Sequence, residues 1–195
     1  PKGVELVNEK IDRIDKDNDQ VLLQNGTAID YNILIIATGT NIAPQEIEGM
    51  LGDHWHQSVF DFYTFEGARN LRNKLRNWKG GKMVVHIAEM PIKCPVAPLE
   101  FAFLADSFFI NKGMRPMVDI TFVTPMSGAF TKPTATKELN YLLEQKNIKI
   151  VPDFNIERVD NDAKKIISYD GIEIDFDVLT IVPVNMGSEM VERSG

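Results

Sequence analysis

The sequence predicts an α/β protein: a Rossmann-like parallel sheet with helices on both faces and an inserted β-meander, preceded by a second, smaller β-meander. Three observations predict it. Short apolar runs recur at 82–88, 119–123, 148–151 and 178–182, as in strands buried on both faces. Stretches with apolar residues at helical spacing alternate with them, at 65–78, 97–111 and 137–145, and such alternation implies a parallel sheet. Two clusters of short strands and turn residues, at 4–31 and 155–174, read as antiparallel meanders.

Each element has its own signal. In the first meander, Lys16-Asp17-Asn18-Asp19 reads as a turn and Asn25-Gly26 as a tight hairpin. The run Ile33-Leu34-Ile35-Ile36-Ala37 has no alternation, which predicts a central strand buried on both faces. Thr38-Gly39-Thr40-Asn41 and Ala43-Pro44 break it, and residues 49–58, with His54, Trp55 and His56, read as an irregular linker. Phe65, Ala68, Leu71, Leu75 and Trp78 fall on one helical face, which Gly80-Gly81 ends. After the strand at 82–88 comes a loop, Glu89-Met90-Pro91-Ile92-Lys93-Cys94-Pro95-Val96, and then a strongly apolar helix over 97–111. Pro98 suits its first turn, where a missing N–H costs nothing, and its apolar residues predict packing into the core. The helix at 137–145 is expected to turn Leu139, Leu142 and Leu143 inward, and Asn161-Asp162 marks the turn of the second meander.

Composition narrows the function. The chain has 195 residues, 44% of them hydrophobic and 25% charged, enough for a globular core. A net charge of −7 argues against a nucleic-acid partner, because little cationic surface is available to displace counterions from phosphate. No apolar run is long enough to span a bilayer. The single cysteine, Cys94, rules out a disulfide within the chain and suits a reducing compartment. One cysteine and three scattered histidines lack metal-ligand spacing. The opening at Pro1 and the stop at Ser194-Gly195 suggest an internal piece of a longer polypeptide.

Two motifs carry a family resemblance. Tyr31-Asn32-Ile33-Leu34-Ile35-Ile36-Ala37-Thr38-Gly39, followed by Pro44, resembles the Ala-Thr-Gly strand end of FAD- and NAD-dependent pyridine-nucleotide–disulfide oxidoreductases. Glycine at such a tip lets backbone approach a cofactor closely. Lys93-Cys94-Pro95-Val96-Ala97-Pro98-Leu99-Glu100-Phe101-Ala102-Phe103 is similar to the first strand–helix turn of the second domain in sulfide:quinone oxidoreductases. Phe122-Val123-Thr124-Pro125 and Val182-Pro183-Val184-Asn185-Met186-Gly187 resemble the same group. A nicotinamide-binding turn needs Gly-x-Gly-x-x-Gly for its tight bend and close pyrophosphate. Here Ala88-Glu89-Met90-Pro91-Ile92-Lys93 stands in its place, and Thr124-Pro125 replaces the ribose-binding acid.

The resemblance implies a domain plan, a chemistry and a set of residues. Residues 1–48 would end a first FAD-domain segment, 49–182 form the NAD-binding-like domain with the cysteine loop, and 183–195 begin the return to the FAD domain. Sulfide would be oxidised through a cysteine disulfide and persulfide, with electrons passing via FAD to quinone. Cys94 is the expected catalytic sulfur: Lys93 adjoins it and the helix from Ala97 points its positive end toward it, both of which favour thiolate. Its disulfide partner is expected beyond Gly195. Glu100 is expected either to move protons near that cysteine or merely to favour the helix dipole. Ala37, Thr38, Gly39, Pro44 and Lys93 are the expected cofactor contacts, although a chain without Gly-x-Gly-x-x-Gly is not expected to hold FAD alone. Family members sit on the membrane surface, here expected at the cytoplasmic face. Sulfide, quinone, the remainder of its own polypeptide and a homo-oligomeric copy are the expected partners.

Other readings stay open: a flavocytochrome c sulfide dehydrogenase, an NADH:quinone reductase, or a redox-sensing or assembly module with Cys94 as a modifiable thiol. A lone cysteine is also often a small buried hydrophobe. His54 and His56 are read as solvated loop residues and His86 as a hydrogen-bonded core residue.

Overall fold

The structure, a computed structural model, describes residues 2–195. In chain order the strands are β1 (Ile11–Asp15), β2 (Gln20–Leu23), β3 (Ala28–Asp30), β4 (Thr40–Ile42), β5 (Val59–Phe60), β6 (Gly81–Ile87), β7 (Val118–Val123), β8 (Ile148–Val151), β9 (Ile156–Asp160), β10 (Lys165–Ser168), β11 (Glu173–Asp175), β12 (Val178–Val182) and β13 (Asn185–Gly187). The helices are α1 (Phe65–Asn77), α2 (Ala97–Asn111), α3 (Pro133–Gln145) and α4 (Glu189–Arg193). Two compact units divide the chain: residues up to Asn41 together with Met186–Gly195, and Ile42–Asn185.

In the first unit β1, β2 and β3 form an antiparallel meander. Ile14 faces Val21 across the β1–β2 ladder, and both are buried with Leu23. The Asn25-Gly26 turn closes as its residues predict: Gly26, at φ +88°, donates to the Leu23 carbonyl at 3.0 Å. The short helix α4 packs on β1, where Ser194 Oγ accepts the Ile14 amide at 2.8 Å.

The central strand expected at 33–37 is absent. Residues 33–39 have no regular structure, and Ile33 and Ile35 are 85% and 84% exposed. An apolar strand is defined by neighbours on both sides and layers on both faces. This unit offers short strands and no such layers, so the run extends into solvent.

In the second unit a five-stranded sheet runs β5-β12-β6-β7-β8, with all four pairings parallel. Side chains of β6 alternate between two cores. Met83, Val85 and Ile87 join Leu71 and Leu75 of α1, Leu99 and Phe109 of α2, and Leu143 of α3. Val84 and Ala88 join Phe154, Ile156, Ile166 and Phe176, from the β9–β11 meander and its connections.

Helices therefore cover one face only, which corrects the expectation of helices on both. The crossovers β5→β6, β6→β7 and β7→β8 all advance the same way across the sheet. Each right-handed crossover then places its helix on the same side. The antiparallel meander inserted before β12 supplies the apolar layer for the other face.

Helix α2 spans 97–111 as expected, but its apolar residues divide. Leu99, Ala102, Ala105 and Phe109 enter the core, while Leu104 and Ile110 face out. On α1 only Leu71 and Leu75 of the expected face are buried, and Phe65 is 85% exposed. Helix α3 begins at Pro133 and buries Leu143, with Leu142 turned outward.

Two polar networks brace this unit. Asp61, fully buried, accepts the Thr64 amide at 2.6 Å and the Thr64 hydroxyl at 3.0 Å, while Thr64 Oγ1 caps α1 by accepting the Gly67 amide. Asp106 accepts Arg115 Nε at 2.6 Å and Lys146 Nζ at 2.9 Å. Burial pushes the Asp106 carboxyl up, but the hydrogen bonds from these two cations outweigh it and leave it lowered.

Candidate functional site

The candidate site is built on the loop between β6 and α2. The side chain of Ile92 is buried and anchors the loop, and the Lys93 amide donates to Asn185 Oδ1 at 3.2 Å. Cys94 follows, a free cysteine that is partly exposed. Its carbonyl accepts two hydrogen bonds, from the Ala97 amide at 3.2 Å and from the Tyr63 hydroxyl at 3.0 Å. The first ties Cys94 to the opening turn of α2, where amide dipoles favour negative charge. Val96, at the cap position, supplies no side-chain acceptor to those amides.

Tyr63 is the functional neighbour that sequence reasoning missed. It stacks on Phe62, which stacks in turn on Phe101 of α2, with ring centroids 5.1 and 4.8 Å apart. Burial, with the charge of a nearby Cys94 thiolate second, pushes its hydroxyl up to about 12. It therefore stays protonated and remains a donor at neutral pH. No local pattern marks it, because Tyr63 and Cys94 meet across 31 residues of sequence.

Lys93 and Glu100 are both exposed, and neither side chain has a hydrogen-bond or ion-pair partner among the described residues. The structure thus brings Tyr63, rather than Glu100, into bonded contact with Cys94. Ala37, Thr38 and Gly39 are exposed in the irregular stretch before β4. Gly39 stands at φ +69°, with open space where a Cβ would lie, and Pro44 opens a single 3-10 turn (Pro44–Glu46). These residues offer backbone for close approach but no phosphate-binding turn, so they do not by themselves make an FAD site.

The crevice at the carboxyl ends of β6 and β12 is the position where open parallel sheets take nucleotides. Here it is a cavity of about 300 Å3 lined by Ala88, Val184 and Tyr169, with three carboxylates, Glu46, Glu89 and Glu157. Such a lining repels a pyrophosphate, in keeping with the absence of glycines from the β6 turn.

The histidines separate by environment. His56 is held rather than loosely solvated: its Nε2 lies 3.4 Å from Asp61 Oδ2 and its Nδ1 3.2 Å from Asn70 Nδ2, with the ring stacked on Trp55. His86 is fully buried, with Nδ1 3.0 Å from the Val123 carbonyl. Among the described residues no helix is long and apolar enough to cross a membrane.

A parallel sheet with an antiparallel meander before its last strand, carrying a cysteine loop where a glycine turn would stand, defines a fold class: a Rossmann-like α/β domain. A solved ferredoxin reductase from Rhodopseudomonas palustris shares this fold at a TM-score of 0.67 and 18% identity, over 96% of this chain and 43% of that one.

In sequence the chain is similar to sulfide:quinone oxidoreductases. It is 22% identical over 200 residues to the mitochondrial sulfide:quinone oxidoreductase of Mus musculus, covering 100% of this chain and 44% of that protein. It is 28% identical over 204 residues to the sulfide-quinone reductase of Aquifex aeolicus, covering 99% and 45%. The solved structure of the Aquifex aeolicus sulfide:quinone oxidoreductase superposes with a TM-score of 0.79 at 24% identity, over 98% of this chain and 45% of that one. The chain spans less than half the length of these relatives, and no family model matches it.

Proposed function

We propose that this chain is the sulfur-handling part of an FAD-dependent oxidoreductase that oxidises sulfide and reduces quinone. The observation that carries the proposal is the placement of Cys94, a partly exposed thiol at the amino end of α2, in the loop that dinucleotide-binding relatives give to phosphate. Cys94 is the redox-active sulfur. Attack of hydrosulfide on a disulfide between Cys94 and a second cysteine breaks the S–S bond, leaving a persulfide on one sulfur and releasing the other as thiolate. Tyr63 holds the Cys94 carbonyl and so fixes the loop. Glu100, exposed one turn into α2, is the proton carrier.

The flavin, when bound, accepts the electrons. Ala37, Thr38, Gly39, Pro44 and Lys93 are the residues of this chain proposed to touch it, and the remainder of its site belongs to segments that the relatives possess outside the matched region. On this reading residues 1–48 and 183–195 belong to a flavin domain and 49–182 form the cysteine-bearing domain. The whole protein associates peripherally with a membrane, where quinone resides.

The test is Cys94→Ala in the full-length polypeptide that carries this chain. Sulfide-dependent bleaching of flavin absorbance is expected to disappear while flavin content stays normal. Unchanged bleaching would refute the assignment. Unchanged bleaching together with altered oligomerisation would favour an assembly or redox-sensing module instead.

A further inference from the structure

The groove between α1 and α2 plays no part in the sulfur chemistry. It encloses about 440 Å3, within the roughly 300–1,000 Å3 typical of small-molecule sites. Its walls are carbon, with Phe62, Leu71, Phe101, Leu104 and Phe108 prominent among them. This is where the surplus apolar residues of α2 go. Leu104 is 68% exposed, at a place where a surface helix ordinarily carries polar residues.

Two arginines, Arg72 and Arg76, one helical turn apart on α1, are also among the residues that line the groove. Both are exposed and neither has a carboxylate partner among the described residues. Lys112 behaves differently. It lies over the Phe108 ring and is occupied in capping α1, donating to the Leu75 and Arg76 carbonyls at 3.2 and 3.0 Å. In a chain of net charge −7, unpaired cations beside exposed hydrocarbon specify the complement: a hydrocarbon chain that ends in an anion.

We propose that the α1–α2 groove binds a single-chain anionic amphiphile, an alkyl carboxylate whose tail lies among the aromatic and leucine side chains and whose headgroup pairs with Arg72 and Arg76. A second copy of the chain fits less well, because the groove lining has two arginines and no carboxylate, so a two-fold contact through this face would bury cations without an anionic partner from the same lining. A flat lipid surface fits less well than one chain, because the apolar surface is recessed.

The test is calorimetric titration of this chain with laurate below its micelle concentration, with dodecanol and dodecyltrimethylammonium as neutral and cationic controls. Saturable one-to-one binding of laurate is expected, and the double variant Arg72→Gln/Arg76→Gln weakens it by about tenfold or more. Dodecanol binds more weakly than laurate and is indifferent to that variant. Leu104→Asp weakens both ligands. All three substituted positions are exposed, so circular dichroism is expected to show an unchanged fold.

The proposal is overturned if laurate does not bind, if all three amphiphiles bind alike, or if the arginine variant binds laurate as the parent does. It is equally overturned if sedimentation shows a dimer that Leu104→Asp dissociates, which assigns the groove to a second copy. Recruitment to anionic vesicles without laurate binding assigns it to a membrane and also overturns it. None of these outcomes depends on the sulfide reading, since no substitution touches the Cys94 loop.

Discussion

Acidification is expected to destabilise the second unit through His86 before most carboxylates titrate. The imidazole is fully buried on the meander side of the sheet, edge-on to Phe154 at 5.4 Å and 88°. Its Nδ1 faces the Val123 carbonyl, an acceptor only, so Nδ1 carries the proton, while Nε2 has no hydrogen-bond partner. Protonation would place an N–H and a charge in hydrocarbon.

Burial accordingly lowers the His86 pKa from its usual 6.5 to about 4, with the Val123 hydrogen bond opposing weakly. Between those values the unfolded chain binds a proton that the folded chain refuses. Stability is therefore full above pH 6.5 and falls as pH drops toward 4. The gap between 6.5 and about 4 corresponds to about 3 kcal/mol, a large share of the ~5–15 kcal/mol that holds a domain together.

The assay is urea unfolding at intervals from pH 7 to pH 4, for the parent and for His86→Leu. The parent midpoint is expected to fall steadily across this range, and the variant to be nearly flat. Asp106 does not confuse the result, since its lowered carboxyl contributes stability that is lost only as pH falls below the usual 3.8. Equal pH dependence in the two proteins would refute the reasoning.

Three further predictions concern the bracing contacts. Tyr63→Phe keeps the aromatic stack but releases the Cys94 carbonyl, a hydrogen bond contributing about 1 kcal/mol. Alkylation of Cys94, followed by mass spectrometry, is expected to quicken by about fivefold, and Tm to fall by about 2–4 °C. Gly67→Ala puts a Cβ 2.1 Å from Asp61 Oδ2 and 2.6 Å from the Asp61 carbonyl oxygen, so thermal melting is expected to show a loss of about 2 kcal/mol or more. Asp106→Asn strips Arg115 and Lys146 of their shared carboxylate. Because Lys146 is partly solvated, the expected loss in urea unfolding is about 2 kcal/mol, below the usual figure for a fully buried pair.

Legibility in the sequence tracked how local the determinant was. Helix α2 was readable to its ends because a long apolar stretch opens with Pro98. The second meander was readable because Asn161-Asp162 punctuates β-prone runs. The parallel sense of the sheet followed from strand–helix alternation. What could not be read depended on partners distant in sequence. Ile33-Leu34-Ile35-Ile36-Ala37 has the composition of a buried strand, yet burial is a property of neighbours. The layer opposite the helices followed from the common direction of three crossovers, which no single segment records. Within the site, Cys94 and its place before α2 were visible in the order of residues. The Tyr63 hydroxyl was not, because folding alone brings it there. Likewise the outward turn of Leu104 and Phe65 was hidden by a helical pattern that is apolar on more than one side.

The exposed stretch around Ile33 has a consequence for handling the protein. Six residues from Asn32 to Ala37 combine strong β-propensity with no charge, no proline and no glycine, the composition of a self-pairing cross-β segment. Left in solvent, it is the part of the chain most prone to template intermolecular strands. Concentrated preparations are expected to aggregate from this segment first, and one lysine in place of Ile35 would act as a gatekeeper there.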